Sequence, residues 1–233
     1  MAARVAVITG ASSGIGRGVA AQLRSDGFQL VLGGRTVEEV FEASDDVALV
    51  TDDLTEPATS GKLLDTALER FGHCDYLFAN AGMIENGTIQ EIDVDRMCRM
   101  ARLKVESAYR LIYTFLKYFV SVEKGHVVIT SSILGTKVRE TAGAYAGCNY
   151  AMEALAEGLR MELTDTDIQV SCIEPGLVDT NLQSHWPTPP KEMLGIEKAL
   201  QPEDIAEVVQ HIISRPAHVR IPRYMILPRG HRI

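Results

Sequence analysis

The chain has little that would commit it to metal, disulfide or membrane chemistry. Its four cysteines (Cys74, Cys98, Cys148, Cys172) are scattered and form no CxxC pair. They read as buried thiols in a reducing cytosol, not as a zinc site or a disulfide framework. The histidines show no HxxxH spacing, so no metal is expected. Basic residues are in deficit: 23 Lys and Arg against 31 Asp and Glu give a net charge of −8. That balance argues against nucleic acid as the main partner. The one basic cluster, Arg215, Arg220, Arg223, Arg229 and Arg232, is terminal and reads as a solvated or subunit-contacting tail. Long apolar runs are missing too. The best candidate, Ser107 to Val122, holds Arg110 and Lys117, which excludes a membrane span. The first apolar run, Val5 to Ile8, is too short for a signal peptide and leads into Gly10. There is no internal repeat and no low-complexity segment. A cytoplasmic globular protein is expected, and 233 residues, 46% of them hydrophobic, can bury one sizeable core.

Short β-branched runs alternate with longer amphipathic stretches. The runs are Val5–Thr9, Gln29–Leu32, Val47–Thr51, Tyr76–Ala79, His126–Ser131, Ile168–Ile173 and Tyr224–Leu227; between them lie helical patterns such as Ile15–Ser25, Ala58–Phe71, Gly143–Leu163 and Pro202–Ser214. Strands alternating with helices imply βαβ units. Right-handed crossovers then wind them into a doubly wound parallel sheet, an α/β fold of about seven strands. No composition shift marks a boundary, so a single domain over residues 1–233 is expected. Asp179 to Leu200, with Trp186, Pro187, Pro189 and Pro190, breaks the rhythm and reads as a lid-like excursion.

The first strand runs directly into Gly10-Ala11-Ser12-Ser13-Gly14-Ile15-Gly16, and a helix follows. Glycines let the backbone turn tightly and approach a pyrophosphate, and the helix N-terminus offers free N–H groups to the anion. The second strand ends at Leu32-Gly33-Gly34-Arg35, with no acidic residue at the tip. An arginine there suits the 2′-phosphate of NADP, which it can meet with charge-assisted, bidentate hydrogen bonds.

With these motifs in order, the sequence resembles the short-chain dehydrogenase/reductase family over nearly its whole length. Thr9 to Gly16 matches the family's TGxxxGIG loop, and Asp53-Leu54 matches the position that holds the adenine ring. Asn80-Ala81-Gly82 matches the NAG motif, although Ala79 replaces its usual leading Asn. Tyr145 follows Ser132 by thirteen positions, the family spacing, which favours Ser132 over Ser131. Pro175-Gly176 follows the sixth strand, with Val178 and Thr180 where the family contacts the nicotinamide carboxamide. The resemblance implies a Rossmann-type domain, NADP(H) as cofactor, and a homodimer or homotetramer built on the helices Lys104–Val122 and Gly143–Leu163.

The resemblance fails at two places. The YxxxK motif reads Tyr145-Ala146-Gly147-Cys148-Asn149, so the lysine is missing. On the preceding helix Lys104 occupies the family's asparagine position. The catalytic set implied by the resemblance is therefore Ser132, Tyr145, Lys104 and Asn149, with Asn and Lys exchanged. A free tyrosine, with a pKa of about 10, is a poor base at neutral pH, and a neighbouring cation favours the phenolate. Lys104 would return that charge from the opposite helix, and Tyr145 and Asn149 would also meet the cofactor. The expected function is NADP(H)-dependent reduction of a carbonyl to an alcohol, or the reverse. The alternative is a catalytically silent NADP(H)-binding sensor; lyase or dehalogenase chemistry ranks last because the glycine loop is kept. Met83, Ile133, Leu134, Val138, Leu177, His185 and Trp186 are expected near the substrate. The mostly apolar excursion hints at a substrate without strong charge.

Overall fold

In the computed structural model, which describes residues 3–216 and 218–232, seven parallel strands form one sheet. They are β1 (Val5–Thr9), β2 (Gln29–Gly33), β3 (Val47–Val50), β4 (Tyr76–Ala79), β5 (Lys124–Thr130), β6 (Asp167–Pro175) and β7 (Arg223–Ile226). The spatial order is β3-β2-β1-β4-β5-β6-β7, so the chain reverses its direction of winding between β1 and β4. In open α/β sheets ligands bind outside the carboxyl ends of the strands at such a switch point.

Alternate residues of each strand feed opposite layers. Val5 and Val7 pack with α2 (Thr59–Phe71), α4 (Ala108–Ser121) and α5 (Gly143–Glu162); Leu63, Phe115, Phe119, Met152 and Ala156 fill this side. Ala6 and Ile8 face α1 (Gly14–Ser25) and α7 (Pro202–Ile213), which supply Val19, Leu23, Ile205, Val209 and Ile212. Both faces of the sheet are covered, which explains why the strands read as continuous apolar runs. The strand expectations hold to within a few residues; β5 begins earlier, at Lys124, and β6 runs on to Pro175.

Outside the 179–200 excursion, one helix was not anticipated. α3 (Val94–Ala101) starts at Asp93, whose carboxylate accepts from the Arg96 N–H at 2.8 Å. The chain then widens into a π-helical turn over Arg102–Ser107 before α4. Ser107 Oγ donates to the Arg102 carbonyl at 2.9 Å, a side-chain bond that ties the two ends of the wide turn. The 179–200 excursion carries a short turn at Asn181–Gln183 and a short helix, α6 (Pro190–Leu194). Its base is pinched by Asp179 N–H to Leu200 O at 2.8 Å and Leu200 N–H to Leu177 O at 3.0 Å.

Two expectations need correction. Cys98 is exposed, unlike the other three thiols. The basic tail is partly structural: Arg223 on β7 meets Glu153, Glu157 and Glu174, and Arg220 donates to the Ile168 and Thr166 carbonyls. These bonds pin the edge strand to β6 and α5.

His126 on β5 couples the core to pH. Its Nε2 lies 2.9 Å from Ser171 Oγ, which itself donates to Ile221 O at 2.6 Å. The hydroxyl therefore accepts from the imidazole, which is neutral. Burial, aided by the Arg220 charge, lowers its pKa from 6.5 to about 3. The unfolded chain thus binds the proton more readily, so this stabilisation is complete above pH 6.5 and drains away as the pH falls toward 3. Denaturant unfolding of the wild type should lose about 2 kcal/mol between pH 7.5 and 5 through this group. His126→Asn should flatten that slope.

Candidate active site

The carboxyl ends of the strands open into one cleft of about 770 Å³. Gly10, Ser12, Ser13, Gly14, Ile15, Arg35, Asp53, Leu54, Asn80, Ala81, Gly82, Lys104, Ser132, Tyr145, Pro175, Gly176, Val178 and Thr180 all line it. Of the residues singled out, Gly16 and Asn149 do not. Met83, Ile133, Leu134, Leu177 and Trp186 line it as well, whereas His185 and Val138 stay outside.

The glycine loop is shaped by close approach. Gly10 has φ +67° and leaves no room for a side chain, since a Cβ there would lie 2.9 Å from the Ala81 Cα. At Gly16, a Cβ would fall 2.2 Å from the Gly10 carbonyl oxygen. The first turn of α1 therefore sits flush on the loop. Ser13 caps α1 without any side-chain hydrogen bond, so the N–H groups of that turn face the cleft with no capping partner. Thr9 and Asn80 hold the floor. Thr9 Oγ1 accepts from the N–H groups of Asn80 and Ala81, and Asn80 Oδ1 accepts from Thr130 Oγ1 at 3.0 Å, which joins β1, β4 and β5.

At the β2–β3 end, Asp53 Oδ1 accepts from both the N–H and the Oγ1 of Thr55, each at 2.8 Å. These bonds, with the Arg35 charge nearby, hold its carboxyl below the usual range and keep it ionised. Arg35 lies beside it on the same wall.

At the other end Ser132 and Tyr145 are both buried, 7% and 8% exposed. Ser132 Oγ accepts from the Leu134 N–H at 3.1 Å, which fixes the hydroxyl at the tip of β5. Lys104 is 7% exposed and reaches the cleft from the π-helical turn. Its Nζ sits 5.3 Å from the Tyr145 ring centroid, within cation–π range. A Cβ on Gly82 would stand 3.4 Å from that nitrogen, so the ammonium rests against bare backbone. None of the ion pairs among the described residues involves Lys104. A buried cation without a carboxylate is costly to hold in the fold.

Asn149 takes a different place from the one expected. It is fully buried, and its Nδ2 donates to the Tyr145 carbonyl at 2.8 Å. Its Oδ1 has no partner among the described residues. The amide thus braces α5 behind Tyr145, and no atom of it reaches the cleft.

The cleft also carries positive charge that no sequence motif announced. Arg96, Arg99, Arg102, Arg139 and His231 line the cleft too. Arg96 is committed to Glu85, at 2.6 Å, and its Nη2 lies 3.3 Å from His185 Nε2, which links the excursion to α3. The Arg96–His185 contact does not follow from local sequence, because the partners lie far apart along the chain.

A switch-point cleft floored by a glycine cradle and walled by a Ser–Tyr pair defines an α/β protein of the dinucleotide-fold class. Residues 4–190 match the short chain dehydrogenase family, and the chain belongs to it. An uncharacterized oxidoreductase of Staphylococcus saprophyticus is 31% identical over 235 residues, with 97% of both chains covered. Another from Staphylococcus aureus strain MW2 is 29% identical over 230 residues, again covering 97% of each. Among solved structures, an alcohol dehydrogenase from the archaeon Thermococcus sibiricus, complexed with 5-hydroxy-NADP, superposes with a TM-score of 0.86 at 28% identity. It covers 99% of this chain and 98% of that one.

Proposed function

We propose that this protein is an NADP(H)-dependent carbonyl reductase in which Tyr145 is the proton donor and Lys104 stands in for the family's missing lysine. The observation that carries the reading is the buried, carboxylate-free Lys104 ammonium beside Tyr145, in the same cleft as the glycine cradle. The similar archaeal alcohol dehydrogenase carries an NADP derivative, which supports the choice of cofactor.

The residues present fit a dinucleotide. The space that a Cβ at Gly10 or Gly16 would fill is open, and the α1 N–H groups would take the pyrophosphate. Asp53 keeps its Oδ2 free of the Thr55 bonds for the adenine amino group, and Arg35 would meet the 2′-phosphate. Pro175, Gly176, Val178 and Thr180 would hold the nicotinamide end. When bound, the cofactor supplies the hydride.

Everything else falls to side chains. The Ser132 hydroxyl donates to the carbonyl oxygen of the substrate and orients it. Tyr145 passes its proton to that oxygen as negative charge builds there. The Lys104 ammonium stabilises the charge left on the phenol oxygen. Asn149 holds the α5 backbone that carries Tyr145. Four free thiols among the described residues support a reducing, cytoplasmic setting. Exposed apolar residues on α4 (Tyr113, Val120) and α5 (Tyr150, Met161) support a homo-oligomer through those helices.

NADPH oxidation against a panel of ketones, aldehydes and diketones tests the reading. Turnover is expected; tight NADPH binding with no turnover on any carbonyl would instead support a silent sensor. In the same assay Arg35→Ala should weaken the preference for NADPH over NADH by about tenfold to a hundredfold, the worth of hydrogen bonds to a charged group. An unchanged ratio would remove Arg35 from the phosphate site.

A further inference from the structure

We propose that Arg139 and His231 form an anion subsite at the substrate end of the cleft, so that the carbonyl compound taken by this site is an oxo acid. The inference rests on the carbonyl-reductase reading above and adds the substrate class to it.

Position comes first. Arg139 lies in the loop after β5, one turn before α5, where its carbonyl accepts from the Ala142 N–H at 3.1 Å. The same connection carries Ser132 at its start and leads to Tyr145. His231 comes from the chain terminus and rests on the end of β6: a Cβ on Gly176 would lie 2.6 Å from its Nδ1. Both residues line the cleft. Strand β6 lies on the far side of β5 from β1, so this pair is separated from the glycine loop, Arg35 and Asp53 by the Ser132–Tyr145 wall. The dinucleotide's phosphates have their own ligands at the opposite end.

The hydrogen bonds around His231 leave an acceptor missing. The Leu177 N–H donates to His231 Nδ1 at 3.4 Å. Burial and the Arg139 charge lower the pKa of His231 from 6.5, which leaves the ring neutral at neutral pH. A neutral imidazole that accepts at Nδ1 carries its hydrogen on Nε2. That Nε2 faces Arg139 Nη2 at 3.4 Å, and a guanidinium can only donate. Two donors therefore converge with no acceptor between them.

No protein group among the described residues answers them. His231 is the only side-chain partner of Arg139 among the described residues. Among the described residues the sole carboxylate lining the cleft, Asp53, is at the other end and engaged by Thr55. Arg96 differs in this respect, since Glu85 already neutralises it. A carboxylate is the acceptor that suits a guanidinium fork beside an N–H donor. The apolar side chains of Ile133, Leu134 and Leu177 would face the carbon chain between the carboxylate and the carbonyl. The expectation of an uncharged substrate, drawn from the apolar excursion alone, overlooked a charge that arrives from the β5–α5 loop.

The test uses the full-length protein with NADPH and three oxo acids, 3-oxobutanoate, 4-oxopentanoate and 5-oxohexanoate, each beside its methyl ester. For at least one chain length the acid should exceed its ester in kcat/KM by about tenfold to a hundredfold. Arg139→Met should bring that ratio toward one. Equal turnover of acids and esters, or a preference that Arg139→Met retains, overturns the subsite and leaves the reductase reading in place. If no compound oxidises NADPH, the reductase reading fails, and calorimetry with pentanoate on the NADP-loaded protein decides the subsite. Binding that Arg139→Met abolishes supports it; binding that is absent or indifferent to the substitution overturns it.

Discussion

Lys104→Met is expected to slow carbonyl reduction by about two to four orders of magnitude, the usual worth of assisted proton transfer. The loss should fall on kcat and not on the dissociation constant of NADPH, because the amine meets the phenol ring and lies away from the pyrophosphate cradle. Methionine keeps the length and apolar stem of the side chain, and it relieves the cost of a buried cation. Thermal stability should therefore hold or rise, which separates a chemical defect from a folding one. The decisive companion is the double exchange Lys104→Asn with Asn149→Lys. It should return a large part of the rate, since it moves the charge back to the helix on which the family carries it. A Lys104→Met protein with wild-type kcat would leave the tyrosine without its proposed helper and sink the exchange.

Gly16→Ala should be the most damaging conservative change in the cofactor cradle. Nothing in its own dihedral forbids a side chain, and alanine is intrinsically the better helix former by about 1 kcal/mol. The obstacle is contact. The new Cβ would lie 2.2 Å from the Gly10 carbonyl oxygen and 2.7 Å from Asn80 Nδ2. Neither can yield cheaply: Gly10 belongs to the loop backbone, and Asn80 Nδ2 donates to the Thr9 carbonyl at 3.1 Å. Overpacking of this kind costs about 1–3 kcal/mol or more. The strain falls on the loop and the first turn of α1, so NADPH affinity measured by fluorescence should drop by about a hundredfold or more, as about 3 kcal/mol implies. Gly61→Ala on α2 is the control. Its Cβ would meet nothing within 4 Å, so it should be neutral or stabilise by up to about 1 kcal/mol.

What the sequence made legible was set by short-range rules. Six of the strands are largely buried apolar runs, and burial on both faces gives that signal regardless of neighbours; the edge strand β7 is only half-buried and was marked by Tyr224, Met225 and Ile226 alone. The glycine loop was equally plain, because its requirement for small residues is local. Less visible was α3, whose signals were a capping Asp93 and apolar Val94, Met97 and Met100 spread among charges over eight residues. The pairing of Arg139 with His231 spans 92 positions, and that of Arg96 with His185 spans 89, so no local pattern could announce either. For Asn149 the resemblance implied a cofactor contact, but the four-residue reach of its amide to the Tyr145 carbonyl is a helix-geometry effect that competes for the same side chain.

The wide turn at Arg102–Ser107 bears on how such a site could change owners. An extra residue in one winding rotates everything before it relative to everything after it, so the azimuth of Lys104 depends on local pitch and not on counting letters. Two facing helices, one of them with adjustable pitch, can each deliver a cation to the same point above a phenol. Charge at that point then becomes a portable property of the crevice, transferable from one wall to the other while the scaffold stays still.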